Sequence, residues 1–215
     1  MKWNKQLVLV VGLLFFAGQS IAEERFFFDM PRDWALVEDI KDAGYQEMVF
    51  VPFSERESPS VSRYIRKITL DKKTFDASSS LNGRITKMTA ACSDSKTLPL
   101  AALTQEDVSG YRHEGAMFWC VDKVNTKRSI GAIKQITADD HVFILERIWH
   151  DNTKEKPTDG FISKKETMML DSFKWAVVCN DVKQAGSCSQ MQQAYMASDQ
   201  NKRQQAEISR SVSNY

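Results

Sequence analysis

Residues that carry chemistry are scarce in this 215-residue chain, and their scarcity narrows what it can do. There are three histidines, His113, His141 and His150. Neither H-x-x-x-H nor H-E-x-x-H occurs, which excludes the helical zinc-protease pattern. No C-x-x-C occurs among the four cysteines, so a thioredoxin-type redox site and a paired-cysteine zinc site are not indicated. There is no G-x-S-x-G elbow and no glycine-rich phosphate loop. Charge of one sign is also lacking. Without Lys2 and Lys5 the chain has 27 basic residues against 28 acidic ones, a net charge near −1. That leaves no electrostatic footprint for nucleic acid. No long apolar run is present either: Leu7 to Gly18 falls short of the roughly 20 residues that span a bilayer. No metal or cofactor is expected from these residues.

What is there begins with an address. Lys2 and Lys5 form a positive region, Leu7 to Gly18 the apolar run, and Ser20-Ile21-Ala22 a small-residue cleavage site. Residues 1–22 read as a signal peptide cleaved after Ala22, which predicts a periplasmic or secreted protein without stable membrane insertion. No cysteine lies at the cleavage site, so a lipid anchor there is not expected. Residues 23–182 read as one domain and 183–215 as a polar tail, disordered or weakly helical, rich in Gln and Ser. Cys92, Cys120, Cys179 and Cys188 all follow the leader. An even count in an oxidising compartment predicts two disulfides. Three pairings are possible, and the one joining sequence neighbours, Cys92–Cys120 and Cys179–Cys188, is favoured.

The middle of the chain alternates like strands. Arg25 to Met30, Trp34 to Ile40, Tyr45 to Phe53 and Arg63 to Leu70 read as four strands, with a turn at Asp42-Ala43-Gly44. Ser54 to Ser60 reads as a polar loop. Tyr111–His113 and Ala116–Lys123 read as hairpin arms turning at Glu114-Gly115. Ser129–Thr137 is a strand, Ala138-Asp139-Asp140 its turn, and His141–His150 the next strand. Phe143, Leu145 and Trp149 face one side of that strand, and Val142, Ile144 and Ile148 the other. Both faces are apolar, so it belongs at the centre of a sheet covered on each side. Leu98 to Val108 gives no clear pattern, and Pro99 disfavours a central strand.

Two helices are expected to supply the covers. Leu81, Ile85, Met88 and Cys92 form one stripe, with Asp76, Ser78 or Ser79 as cap. Gly83 inside it costs about 1 kcal/mol against Ala. The second is Ser163 to Val178, where Ser163 and Glu166 have capping-box spacing. Met169, Phe173 and Ala176 recur there at helical spacing, with Leu170 and Val177 beside them. The expected class is therefore α+β, a central antiparallel sheet flanked by helices, with a C-terminal tail.

The order of elements resembles the Mog1/PsbP-like family of small α/β proteins. The resemblance runs over residues 25–180 and has one local motif, P-x-x-W, here Pro31-Arg32-Asp33-Trp34. It implies a sandwich of sheet and helices, and a role as a binding or assembly factor. No catalytic set comes with it.

Each histidine stands beside an acid: His113 by Glu114, His141 after Asp139-Asp140, His150 before Asp151. A strand-end residue next to a solvated acid is the plainer account, since general base work needs convergent geometry. His141 and His150 point to opposite faces if the strand is regular. The aromatics Phe118, Trp119, Trp149 and Trp175 fit a core better than a ligand groove. The leading expectation is an exported non-enzymatic binding or assembly module of the bacterial envelope, engaging an envelope or secreted protein partner. Loops Ser54–Ser60 and Asp151–Gly160 and the tail are its expected contact surfaces. The alternative is a secreted hydrolase using His141, His150 and Asp151, or an effector acting outside the cell.

Overall fold

The computed structural model describes residues 24–28, 30–58, 60–100, 110–151, 173, 176–180, 188–190 and 193, with Asp151 described by its backbone. In chain order the elements are β1 (Arg25–Phe27), β2 (Trp34–Asp42), β3 (Tyr45–Pro52), β4 (Arg63–Asp71) and α1 (Leu81–Thr89). They continue with β5 (Cys92–Pro99), β6 (Arg112–Asp122), β7 (Arg128–Thr137), β8 (His141–Asp151) and β9 (Val177–Cys179). Seven strands form one antiparallel sheet in the order β2-β3-β4-β8-β7-β6-β5, while β1 pairs with β9. The sheet is thus two meanders, β2-β3-β4 and β5-β6-β7-β8. They meet along one seam, where β4 runs against β8 from Arg63↔Trp149 to Asp71↔His141.

Local chemistry explains the turns. Asp42 accepts a hydrogen bond from the Ala43 N–H at 2.7 Å, and Gly44 adopts φ +72°, a conformation that glycine reaches at little cost. At the β7–β8 turn, the Ala138 N–H donates to the His141 carbonyl at 3.0 Å. α1 is capped by Ser80, whose Oγ accepts from the Gly83 N–H at 3.2 Å. A Cβ on Gly83 would lie 2.3 Å from the Ala77 carbonyl oxygen. The preceding loop therefore folds back where only glycine leaves room, which accounts for a poor helix former in this helix.

β8 lies between β4 and β7, and its two faces enter two different cores. On one face Val142, Ile144 and Ile148 join Ile68, Phe118 and Ile133 beneath Ile85 of α1. On the other, Leu145 packs with Ile65, Met117, Trp119 and Ile130 against Phe173 and Ala176. Phe26 of β1 stacks on Phe143 with ring centroids 5.3 Å apart. Lys134 is buried on that second face, where its ammonium donates to the carbonyls of Phe173 at 3.0 Å and Ala176 at 2.7 Å. Those bonds offset part of the cost of burying a cation.

The α+β class is corrected. Strands take 56% of the described residues and helices 13%, so the molecule is mostly β. α1 is found over the expected stripe, but Cys92 opens β5 rather than closing the helix. Within the second expected helix Phe173 is helical, but Val177 and Val178 belong to β9. The remaining residues of that stretch lie outside the described ones, as do residues 1–23 and most of 183–215. The second face is covered in part by the β1–β9 ribbon, a pairing of residues some 150 positions apart that no periodicity reveals. The hairpin at Glu114-Gly115 is also corrected: β6 runs straight through both residues, with Glu114↔Gln135 and Gly115↔Lys134 in register.

Two disulfides are formed, Cys92–Cys120 and Cys179–Cys188, with Cα separations of 5.4 and 5.1 Å. The first ties β5 to β6, and the second fixes the end of β9. Bonds of this kind persist in oxidising compartments.

Candidate functional site

The three histidines are dispersed. His113 is buried in β6. His141 opens β8 and His150 stands nine residues further along it, about 30 Å away at strand rise. A single site containing both is therefore ruled out by the strand itself. The Asp151 side chain lies outside the described residues. His141 is held by Glu24: its Nδ1 and its main-chain N–H each lie 3.0 Å from Glu24 Oε2. Glu24 Oε1 accepts from the N–H groups of Asp139 at 2.6 Å and Asp140 at 3.2 Å, and from the Tyr111 hydroxyl at 3.4 Å. This buried carboxylate closes the β7–β8 turn around itself, so His141 serves as part of an anchor for the start of the domain.

His150 is different. It is the register partner of Ser129 on β7, and Ser129 Oγ lies 2.8 Å from its Nδ1. Partial desolvation, and then the positive charge of Lys127, push its pKa below the usual histidine value, which favours the neutral ring. The pair lines a cleft of about 360 Å³ that also takes in Ser60, Val61, Ser62, Asp122, Asn125 and Lys127. One wall is the turn after β6. Asp122 Oδ1 accepts from the Val124 and Asn125 N–H groups at 2.7 and 2.9 Å, which holds its pKa below the ordinary range. Thr126 has φ +56°, a strained setting for a β-branched residue. The opposite wall is tied to β8, the His150 N–H donating to the Ser62 carbonyl at 2.7 Å.

Sequence reasoning singled out His150 but missed Ser129, Lys127 and Ser62. Ser129 and His150 are 21 positions apart, and only the β7–β8 register makes them neighbours. Among the described residues no carboxylate accepts from the second nitrogen of His150. The pair therefore lacks the orienting third member of a hydrolytic triad among them.

A second surface is the outer edge of β2. Among the described residues it bonds to β3 on one side only, and Leu36, Val37 and Ile40 are 43–44% exposed there. A bulge interrupts the register between Leu36 and Glu38. Glu38, Asp39, Lys41 and Asp42 line the same strand, with Asp39 paired to Lys41 at 3.3 Å. Phe53, just past β3, is 66% exposed, and its N–H returns to the Asp33 carbonyl at 2.6 Å. The opposite edge, β5, is polar in sequence and ends in Pro99.

Among the described residues a cluster of charge lies under α1. Glu146 of β8 is fully buried between Arg84 of α1 and Arg66 of β4, with Arg66 Nη1 at 3.3 Å. Arg66 Nε also meets Glu47 of β3 at 2.9 Å, and the Tyr45 hydroxyl donates to Glu47. Burial opposes the charge on Arg66, but Glu146 together with Tyr64 and Glu47 outweighs it and holds its pKa above the ordinary value. Two guanidinium groups balance two carboxylates, so the cluster is neutral as a unit.

No family model matches this chain, and neither does any curated protein. The Mog1/PsbP-like resemblance is not recovered by these comparisons. Among solved structures, the chain is similar to LpqN of Mycobacterium tuberculosis, described as involved in cell envelope biogenesis. That similarity has 14% identity over 74% of this chain and 86% of that one, with a TM-score of 0.39.

Proposed function

We propose that this protein is an exported, non-enzymatic binding module that engages a partner protein along the outer edge of β2. The observation that carries the reading is that edge itself. It is a nine-residue strand whose outer backbone donors and acceptors have no strand partner among the described residues, with Leu36, Val37 and Ile40 open to solvent. An edge strand is a template for pairing with another chain, and here the bulge after Leu36 and the charges of Glu38, Asp39, Lys41 and Asp42 limit that pairing to a complementary segment. The acidic side chains there favour a partner segment in which apolar residues alternate with Lys or Arg. Export is supported by the leader pattern and by the two disulfides.

A photo-crosslinking residue at Val37 tests this in the native compartment, with the same residue at Lys96 on β5 as control. The expected result is a discrete protein adduct from Val37 alone, abolished by Leu36→Lys and Ile40→Lys. Both substitutions are at exposed positions and should alter stability by about 0.5 kcal/mol or less. Equal crosslinking from both edges, or none from Val37, defeats the reading.

A further inference from the structure

We propose that the cleft between the Asp122–Lys127 turn and the Ser60–Ser62 segment binds a small phosphate oxyanion, either free or as a monoester. The site is separate from the β2 edge and stands or falls independently of it.

The balance of charge comes first. Two carboxylates stand nearby, and both are committed. Asp122 Oδ1 accepts from two main-chain N–H groups. Glu55 accepts from the Ser62 N–H at 2.6 Å and the Ser62 hydroxyl at 2.7 Å, and faces Arg63 Nε at 3.7 Å. Lys127 lines the cleft, and among the described residues its ammonium has no carboxylate partner. Among the described lining residues the other charge is Asp122, which is bonded to its own turn rather than to the ammonium.

Next are the donors. With His150 neutral, the Ser129–His150 bond carries one proton between Oγ and Nδ1. If Ser129 donates, the ring keeps its proton on Nε2. If Nδ1 donates, the Ser129 hydroxyl proton is left over. Either tautomer leaves one hydrogen-bond donor that is not used within the pair. Ser60, on the other wall, adds a hydroxyl. An ammonium with two neutral donors suits a compact oxyanion.

The third point is preorganisation. The Lys127 backbone is fixed on both sides: its carbonyl accepts from the Asp122 N–H at 2.9 Å and its N–H donates to Asn125 Oδ1 at 2.9 Å. The left-handed Thr126 between them is sustained by that bonding. Strain of this sort collects at ligand clamps, where the surrounding structure holds it in place. The space, about 360 Å³, is that of a small-molecule site.

The test is a titration of the mature chain, followed by amide NMR shifts, with inorganic phosphate in one arm and glycerol 3-phosphate in another. A neutral arm uses glycerol. Saturable shifts confined to residues 60–62, 122–129 and 150 are expected with one or both phosphates, and the stronger arm identifies the source. Lys127→Met should weaken binding at least tenfold, and Ser129→Ala a few-fold, with the rest of the spectrum unchanged. Four results would each overturn the proposal: no saturable shift, shifts elsewhere, equal affinity in Lys127→Met, or equal response to glycerol. Covalent capture of Ser129 by a fluorophosphonate would replace it with the hydrolytic reading.

Discussion

Replacing Glu146 with leucine is the sharpest probe of how this sheet is held in register. Leucine is close to glutamate in volume, so little cavity is made and the loss is electrostatic. Glu146 is fully buried, and both its oxygens are engaged by arginines. Removing one partner from a buried pair costs about 3–5 kcal/mol, because the other charge is left uncompensated. Arg66 keeps Glu47 at 2.9 Å, so the burden falls on Arg84, whose side chain is only 16% exposed. That places the expected loss near the lower end, about 3 kcal/mol. For a domain of this size it lowers the Tm by roughly 6–12 °C. Urea and thermal unfolding of the oxidised protein measure it, with the m-value expected to stay constant. Removing Arg84 as well, in a Glu146→Leu/Arg84→Met pair, takes away the stranded charge and should recover more than half the loss. A cost below about 1 kcal/mol for the single change, taken with the range expected for broken buried pairs, would refute the reasoning. So would a double change as costly as the sum of its parts.

Gly131 on β7 lies under the Phe118 ring, and a Cβ there would come within 2.3 Å of two ring atoms. Gly131→Ala should therefore cost about 1–3 kcal/mol by overpacking, measured as a drop in urea midpoint, whereas an unchanged midpoint would mean that the ring moves freely. Tyr45 has its pKa pushed up to about 12, first by burial and then by its bond to Glu47. The unfolded chain loses this proton near pH 10 and the folded one later. The contribution to stability is thus complete below about pH 10 and is lost as pH climbs to about 12. Ultraviolet difference titration should show late ionisation of this tyrosine, and Glu47→Gln should bring it earlier.

The sequence exposed whatever was periodic and local. The double apolar face of His141–His150 placed β8 in the interior of the sheet before any coordinates, and the Leu81-Ile85-Met88 stripe located α1. Polar strands and long-range pairings were hidden. β5, CSDSKTLP, has no apolar face to announce it, because an edge strand needs none. Glu114-Gly115 reads as a turn by residue type, yet pairing with Gln135 and Lys134 holds it extended. Val177 and Val178 fit a helical stripe as well as a strand, and β1 decided between them. The candidate cleft was legible in His150 and in Ser60, the last residue of an expected contact loop. Ser129 and Lys127 carry no motif, and they reach His150 through register alone.

Every pairing inside the large sheet but one joins strands adjacent along the chain. Hairpins of that kind form in about 1–10 μs, whereas bringing β4 against β8 must close a loop of some seventy residues. The slow step in maturation should accordingly be the docking of two preassembled ribbons, each carrying an unguarded flank until it meets the other. Arg66 and Glu146 sit directly opposite on that junction, so a slip of one residue would part them and turn the fully buried Glu146 away from its partner. The same pair that holds the finished molecule together thereby acts as a proofreader during its assembly.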